Sequence, residues 1–168
     1  MALDASIGGA ASDSYVSLAD ANSYFDDRLW TDTWADADLG DKEKALKWAT
    51  QILDRLIWVG SEVDDIQKLR WPRKWVLDLE GDEFEQDEIP TFLVQATCEL
   101  AFVLLQSDKT ADNSAEQLAS LKVGPIDLKF NSEYEAGVFP NIVISIVSPY
   151  SYSFDYTGDF QEMKVGKA

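Results

Sequence analysis

The residues with the clearest chemical potential form a basic cluster between tryptophans in the middle of the chain. Residues 68–74, Lys-Leu-Arg-Trp-Pro-Arg-Lys, hold four of the fourteen basic side chains and are followed by Trp75. Trp71 and Pro72 are the predicted structural anchors of this loop. Arg70, Arg73, Lys74 and Trp75 would then either meet carboxylates of the same chain or contact a partner, since arginine and tryptophan are frequent interface anchors.

An acidic segment, residues 78–88, is the second candidate for chemistry because it carries seven carboxylates that could gather calcium or magnesium. It departs from the calcium-binding loop, since Glu83 stands where the sharp turn requires glycine. We therefore expect a solvated loop and no metal site. Carboxylate pairs also serve in hydrolysis, but the sequence nominates no particular pair and indicates no substrate pocket.

Several other kinds of catalytic chemistry have no residues to support them. The chain has no histidine, which removes the commonest general base and metal ligand. It has no glycine-rich phosphate loop, no nucleophile elbow and no Cys-x-x-Cys motif. The single cysteine, Cys98, is predicted to lie in the core without an activating neighbour. We expect no enzyme activity and no cofactor.

Charge and composition limit the kinds of partner. The 168 residues include 31 Asp and Glu, and the net charge is −17. Nucleic-acid binding usually needs a basic face, so this charge opposes it unless the basic cluster is isolated on one surface. An apolar fraction of 46% favours one folded domain. The sequence shows neither a membrane span nor a signal peptide, and we expect synthesis in a cytoplasm.

Periodicity predicts a mainly α fold, a small three- to four-helix domain with a short β strand or hairpin. Helices are expected over about 17–28, 41–57 and 90–106, with a further short helix over 140–147. Ser17 and Asp20 resemble a capping box, and Asp41 is expected to cap the second helix. In the third helix Gln95, Glu99 and Gln106 are expected to form a solvated stripe. Alternation near 118–130 predicts an edge strand or hairpin.

The ends of the chain are expected to differ from this domain. We predict a flexible N-terminus over 1–13, the helical domain over 14–148, and an extended C-terminal arm over 149–168. An extended arm would present several aromatic rings on one face, and such a stripe usually marks a contact. The arm either adds a strand to a partner or folds back on its own domain. Its predicted contact residues are Tyr150, Tyr152, Phe154, Tyr156 and Phe160.

An ordered set of motifs resembles a family of tailed-phage proteins over roughly residues 14–150. Its opening is the segment Ser-Tyr-Val-Ser-Leu-Ala-Asp-Ala at 14–21, followed by an alanine-rich amphipathic helix at 44–56 and Trp-Val-Gly at 58–60. Gln-Lys-Leu-Arg-Trp-Pro-Arg at 67–73 is the most diagnostic element. A helix that begins at Ile-Pro and a Val-Gly-Pro-Ile strand at 123–126 complete the set.

Two functions attach to that family. One is the head–tail connector or adaptor of the virion neck. It implies a twelve-subunit ring that docks on the portal protein and receives the next neck or tail component, with double-stranded DNA passing through the lumen. The alternative is a DnaT-like single-stranded-DNA-binding accessory protein. The acidic charge and the missing basic groove favour the connector as the sequence prediction.

Overall fold

The computed structural model describes residues 2–107, 120–123, 126–129 and 139–152. Helix α1 spans Leu18–Asp26, and the Ser17 hydroxyl accepts the Asp20 N–H at 3.1 Å, so the predicted cap is confirmed. A short helix α2, Asp32–Asp36, precedes α3, Leu39–Leu53. Asp41 does not cap α3, because the helix begins two residues before it. Its carboxylate lies in the first turn instead, where the helix dipole favours negative charge.

Helix α4, Thr91–Gln106, is the centre of the fold and packs against α1, α2, α3 and α5. The prediction of a solvated stripe is wrong at Glu99, which is buried. Its carboxylate accepts two hydrogen bonds from the Arg28 guanidinium, at 2.7 and 2.9 Å, and one from the Tyr24 hydroxyl at 2.7 Å. Tyr24 of helix α1 and Arg28, which follows that helix, both bind the carboxylate, so the charge is paired and not solvated.

Within the described residues, the named strands form two short antiparallel pairs. Strands β1, Ser61–Glu62, and β2, Arg73–Lys74, pair with Glu62 opposite Arg73. Strands β3, Ser120–Val123, and β4, Ile126–Lys129, form a hairpin with Val123 opposite Ile126. The hairpin lies where the alternation predicted it, and the mainly α fold class is confirmed.

The C-terminal part of the described chain folds back on the domain. Helix α5, Asn141–Val147, leads into a 3-10 turn, Ser148–Tyr150. Tyr150 is buried and stacks on Phe92 with ring centroids 4.0 Å apart. The Val59 N–H donates to the Tyr150 carbonyl at 3.0 Å, and the Tyr152 N–H donates to the Ile57 carbonyl at 2.7 Å.

This arrangement differs from the expected arm at its first residues. Burial of the Tyr150 ring and the backbone pairing with residues 57–59 attach the chain to its own core up to residue 152. The other predicted arm residues, Phe154, Tyr156 and Phe160, lie outside the described residues.

The N-terminal segment also has ordered contacts, where flexibility was expected. The Asp4 N–H donates to the Asp13 carboxylate at 2.7 Å, and the Asp4 carbonyl accepts the N–H groups of Asp13 and Ser14. The Lys47 ammonium binds the Asp13 carboxylate at 2.7 Å and so fixes this segment on α3. Among the residues that the structure describes, no helix is long and apolar enough to cross a membrane.

Candidate nucleic-acid interface

The predicted basic cluster lies on a loop whose centre is buried. Trp71 is only 1% exposed and packs edge-on against Trp58 and Phe92, with centroids 5.6 and 5.4 Å apart. The Trp71–Pro72 peptide bond is cis. The Gln67 amide donates to the carbonyls of Leu69 and Pro72 at 2.8 and 3.1 Å, which ties the two sides of the loop together.

Arg73 is buried and stabilises this loop through hydrogen bonds to the backbone. Its guanidinium donates to three backbone carbonyls, those of Val59 at 2.7 Å, Gly60 at 2.7 Å and Arg70 at 3.0 Å. Burial lowers the pKa of the guanidinium from its ordinary value, but an arginine remains protonated in a protein. The residue was predicted to contact a partner. The structure differs, because the guanidinium is occupied by carbonyls of its own chain.

Gly60 explains why the neighbouring turn can approach so closely. Its φ of 74° lies in the left-handed region, and a Cβ at this position would collide with the Lys74 carbonyl and the Val76 side chain. A glycine therefore lets the 58–60 segment present its carbonyls to Arg73.

The other predicted interface residues of the loop lie at the surface. Arg70 is exposed and pairs with Glu62 at 2.9 Å. Lys74 is half-buried, with its ammonium 5.1 Å from the centre of the Trp75 ring. Trp75 is 66% exposed. The structure thus separates the seven-residue cluster into a buried centre and an exposed rim.

The exposed rim borders an open cleft of about 420 Å³, which we call the cationic cleft. Three distant parts of the sequence form it: the N-terminal segment, the end of α3 and the loop 68–70. Three of its lining side chains are cationic and two are carboxylates. The lining residues are Asp13, Gln51, Asp54, Arg55, Lys68, Leu69 and Arg70.

Both carboxylates of the cleft are held by partners on the protein. Asp13 binds the Lys47 ammonium. Asp54 accepts the Arg70 backbone N–H at 2.7 Å and a short hydrogen bond from the Tyr15 hydroxyl. Burial, and secondarily the charge of Asp54, raises the pKa of Tyr15 well above its ordinary value, so Tyr15 stays a donor.

The cations of the cleft are less engaged. Within the described part of the chain, neither Arg55 nor Lys68 takes part in an ion pair. The Lys68 ammonium donates a long hydrogen bond to the Ala11 carbonyl, at 3.5 Å. The Arg55 guanidinium lies 5.9 Å from the centre of the Trp48 ring. Two cations therefore remain available for a ligand in a chain that is strongly acidic.

Trp48 adds an aromatic surface beside Arg55. It is 36% exposed and precedes Gln51 and Arg55 by three and seven residues, so the three lie on one face of α3 and its C-terminal continuation. Sequence reasoning nominated neither Trp48 nor Arg55 for a site. The available signal was a tryptophan on the polar face of an amphipathic helix, where an apolar side chain gains nothing from the core.

The described residues show no centre for covalent or metal chemistry. They contain no group of three or more potential metal ligands. Burial raises the pKa of the Cys98 thiol to about 12, which keeps it protonated and unreactive. The cationic cleft is instead suited to binding, since cations can bind phosphates while an exposed indole stacks on an unpaired base.

One comparison with known proteins gives a match. Residues 1–159 match the model of a family described as "Putative DnaT-like ssDNA binding protein". No curated protein matches the chain, and no solved structure matches it. The match covers nearly the whole sequence, including the motifs at 14–21 and 67–73 on which the resemblance was based.

This match corrects the connector interpretation. The family description names single-stranded DNA, which was the alternative function in the sequence analysis. It gives no support to a portal, a ring oligomer or a neck component, and the prediction of a virion structural protein is therefore wrong. Net charge was the misleading argument, because it is a sum over the whole chain and says nothing about where the cations lie.

Proposed function

Because the chain belongs to the DnaT-like ssDNA binding protein family, we propose that it is an accessory protein that binds single-stranded DNA in the cationic cleft. The observation that carries the proposal is the placement of Arg55, Lys68 and Arg70 in one cleft, with the exposed ring of Trp48 beside Arg55. A DNA strand would pair its phosphates with these cations and stack a base on the indole. The proposed role is binding, without a covalent step.

The arrangement favours a single strand over a duplex. A base in a duplex is stacked on both faces, whereas an unpaired base can lie against an aromatic side chain. Such stacking tolerates any sequence because every base has a π face. We therefore expect little sequence preference and weaker binding to a duplex of equal length.

The acidic residues outside the cleft should also affect how the affinity for DNA depends on salt. Contact with phosphates releases counterions, so affinity should fall as salt rises, with a slope of about −0.7 for each phosphate contact on a single strand. The net charge of −17 repels DNA at long range, and salt screens that repulsion over about 10 Å at 0.1 M. The two effects oppose each other, so we expect a shallow overall slope.

Fluorescence anisotropy with a labelled oligo-thymidine tests the proposal. Trp48→Ala should weaken binding by about 5- to 150-fold, because stacking contributes about 1–3 kcal/mol per base. Lys68→Gln should weaken binding and also reduce the salt slope by about 0.7.

Matched controls lie elsewhere on the surface. Trp30→Ala removes an exposed indole from the connection between α1 and α2, and Lys42→Gln removes a cation that lies 5.6 Å from the Trp34 ring. Both variants should bind like the wild type. The proposal fails if the wild type does not bind the oligonucleotide at low salt, or if the cleft variants bind as well as the controls.

A further inference from the structure

A second exposed surface begins at Trp75 and continues through the acidic segment that follows it. Residues 75–88, which we call the acidic hairpin, double back after Trp75. The Phe84 N–H donates to the Val76 carbonyl at 3.0 Å, and the Asp78 N–H donates to the Asp82 carbonyl at 2.8 Å. The Asp78 carboxylate closes the turn by accepting three backbone N–H groups, at 2.9, 2.8 and 2.9 Å. The segment expected to be a solvated loop therefore has a fixed backbone.

The inner side of the hairpin is locked into the core. Val76 is buried, and the Phe84 ring packs against Trp71, Phe92 and Tyr150 with centroids 6.2, 5.5 and 5.4 Å apart. These contacts hold the hairpin against the core, and Leu77 pairs with Glu83 in an isolated antiparallel bridge. Other side chains of the segment are left at the surface.

The outer side presents an apolar row. Trp75, Leu77 and Leu79 are 66%, 55% and 77% exposed. The Trp75 N–H donates to the Glu83 carboxylate at 2.7 Å, which fixes the start of the row. Apolar side chains that are exposed together on a rigid element usually mark a contact surface, and tryptophan is a frequent anchor of such contacts.

The surroundings of this row are mainly negative, although the Lys74 ammonium lies 5.1 Å from the centre of the Trp75 ring. Residues 75–88 contain seven carboxylates and neither lysine nor arginine. Six of these carboxylates are exposed: Glu80, Asp82, Glu83, Glu85, Asp87 and Glu88. Their field repels DNA and anionic membranes. It also repels a second copy of this chain, whose net charge is −17. It attracts a cationic protein surface.

We propose that the acidic hairpin is a docking surface for a lysine- or arginine-rich segment of a partner protein that carries apolar anchor residues. The anchors contact Trp75, Leu77 and Leu79, and the cations meet the surrounding carboxylates. Because the hairpin is already held by the core, little conformational entropy is lost on its side when the partner binds. This proposal does not depend on DNA binding, because it uses a different surface and a partner of opposite charge.

The test uses a labelled amphipathic peptide of about 15 residues, composed of leucine and lysine in a helical pattern. At about 0.15 M salt, this peptide should bind the full chain. A serine–lysine peptide of equal charge should bind at least about tenfold more weakly, since it lacks the anchors. A leucine–glutamate peptide should not bind.

Variants of the apolar row locate the site. Leu77→Ser combined with Leu79→Ser should weaken binding of the leucine–lysine peptide by about tenfold or more. The control combines Leu29→Ser with Leu39→Ser, two leucines exposed elsewhere, and should bind like the wild type. Binding should also shift the indole N–H resonance of Trp75, assigned with Trp75→Phe, and should leave that of Trp30 in place.

Charge variants provide a second measurement if the serine variants fold poorly. Asp82→Asn, Glu85→Gln and Asp87→Asn together leave the Asp78 turn and the Glu83 contact intact, and should weaken peptide binding by about tenfold. Equal binding of both cationic peptides, or of wild type and the row variants, would mean general attraction to acid and would overturn the proposal. A dimer of the wild type that the row variants abolish would make a second copy the occupant and would overturn it as well.

Discussion

The cationic cleft and the acidic hairpin each have an exposed tryptophan, Trp48 beside Arg55 and Trp75 respectively, but their charges are opposite. In the cleft the two carboxylates are bound by Lys47, Tyr15 and the Arg70 backbone, so Arg55 and Lys68 are left for a ligand. In the hairpin no cation is present among residues 75–88. The kind of partner that an exposed aromatic side chain can bind therefore depends on the charges around it, and not on the net charge of the chain.

The same buried residues of the loop support both surfaces. Trp71 lies in the core between them, and Arg73 holds the loop by three carbonyls. The support is apolar and internally hydrogen-bonded, whereas the rims on either side are exposed and charged. Substitutions in the support should therefore affect both surfaces, and substitutions in one rim should affect one surface only.

The largest effect is expected for Trp71→Ala. Removing this buried ring should lower the free energy of unfolding by about 3–5 kcal/mol, as truncation of large core side chains does. Trp75→Ala, four residues later, should cost less than about 1 kcal/mol because that ring is exposed. Urea unfolding of both variants measures the difference. Equal losses of unfolding free energy would mean that Trp75 supports the fold and is not free to contact a partner.

A smaller effect is expected for Tyr150→Ala. The ring stacks on Phe92 and touches Phe84 at the inner side of the hairpin, so its loss should cost about 3 kcal/mol. It should also weaken binding of the leucine–lysine peptide more than binding of oligo-thymidine, since the cleft does not contact this ring. The exposed Tyr152 provides the matched control, and Tyr152→Ala should have little effect on either. Equal stability of the two variants would indicate that the C-terminal segment does not hold the hairpin.

The smallest expected effect is a loss of stability at alkaline pH, caused by Cys98 in the core helix α4. Burial, and secondarily the charges of Glu99 and Asp20, raises the pKa of Cys98 to about 12, whereas an unfolded chain has a thiol pKa of about 8.5. The folded state therefore binds this proton more tightly. The resulting stability is present below pH 8.5 or so and is lost as the pH rises toward 12, at about 1.4 kcal/mol per pH unit.

At pH 10 we expect a loss of about 1–2 kcal/mol relative to pH 8 from this thiol. Cys98→Ala should reduce the pH dependence by that amount, whatever its own stability at pH 8. Unfolding of both proteins at the two pH values checks this. An identical pH dependence would show that the thiol is not the titrating group. Binding at the two surfaces is best compared below pH 8.5, where α4 keeps its full stability.

Local features of the fold followed from the sequence alone. The Ser17 cap joins groups three residues apart, and helix α4 and the β3–β4 hairpin have their own periodicities. Such features depend on hydrogen bonds and faces within one segment, so a pattern read along that segment is sufficient. The family resemblance was also available at this level, since it rests on consecutive motifs.

The roles of individual charged residues were decided by packing. Nothing local separates Arg70 from Arg73, yet one is exposed and the other donates to three carbonyls. Glu99 was expected in solvent because α4 offers a polar stripe, and it is buried because Tyr24 of α1 and Arg28 just after α1 bind its carboxylate. Which side of a helix is covered depends on the other elements, and the helical period carries no information about them.

The candidate sites needed the tertiary structure for the same reason. The sequence determined that four cations and two tryptophans occur within residues 68–75, that seven carboxylates follow, and that the chain contains no histidine. Only the fold brought Asp13, Arg55 and Lys68 to one cleft, set Trp48 beside Arg55, and left the apolar side chains of the hairpin exposed. These groups are tens of residues apart along the chain, and the hydrophobic core that joins them is a property of the packed elements together.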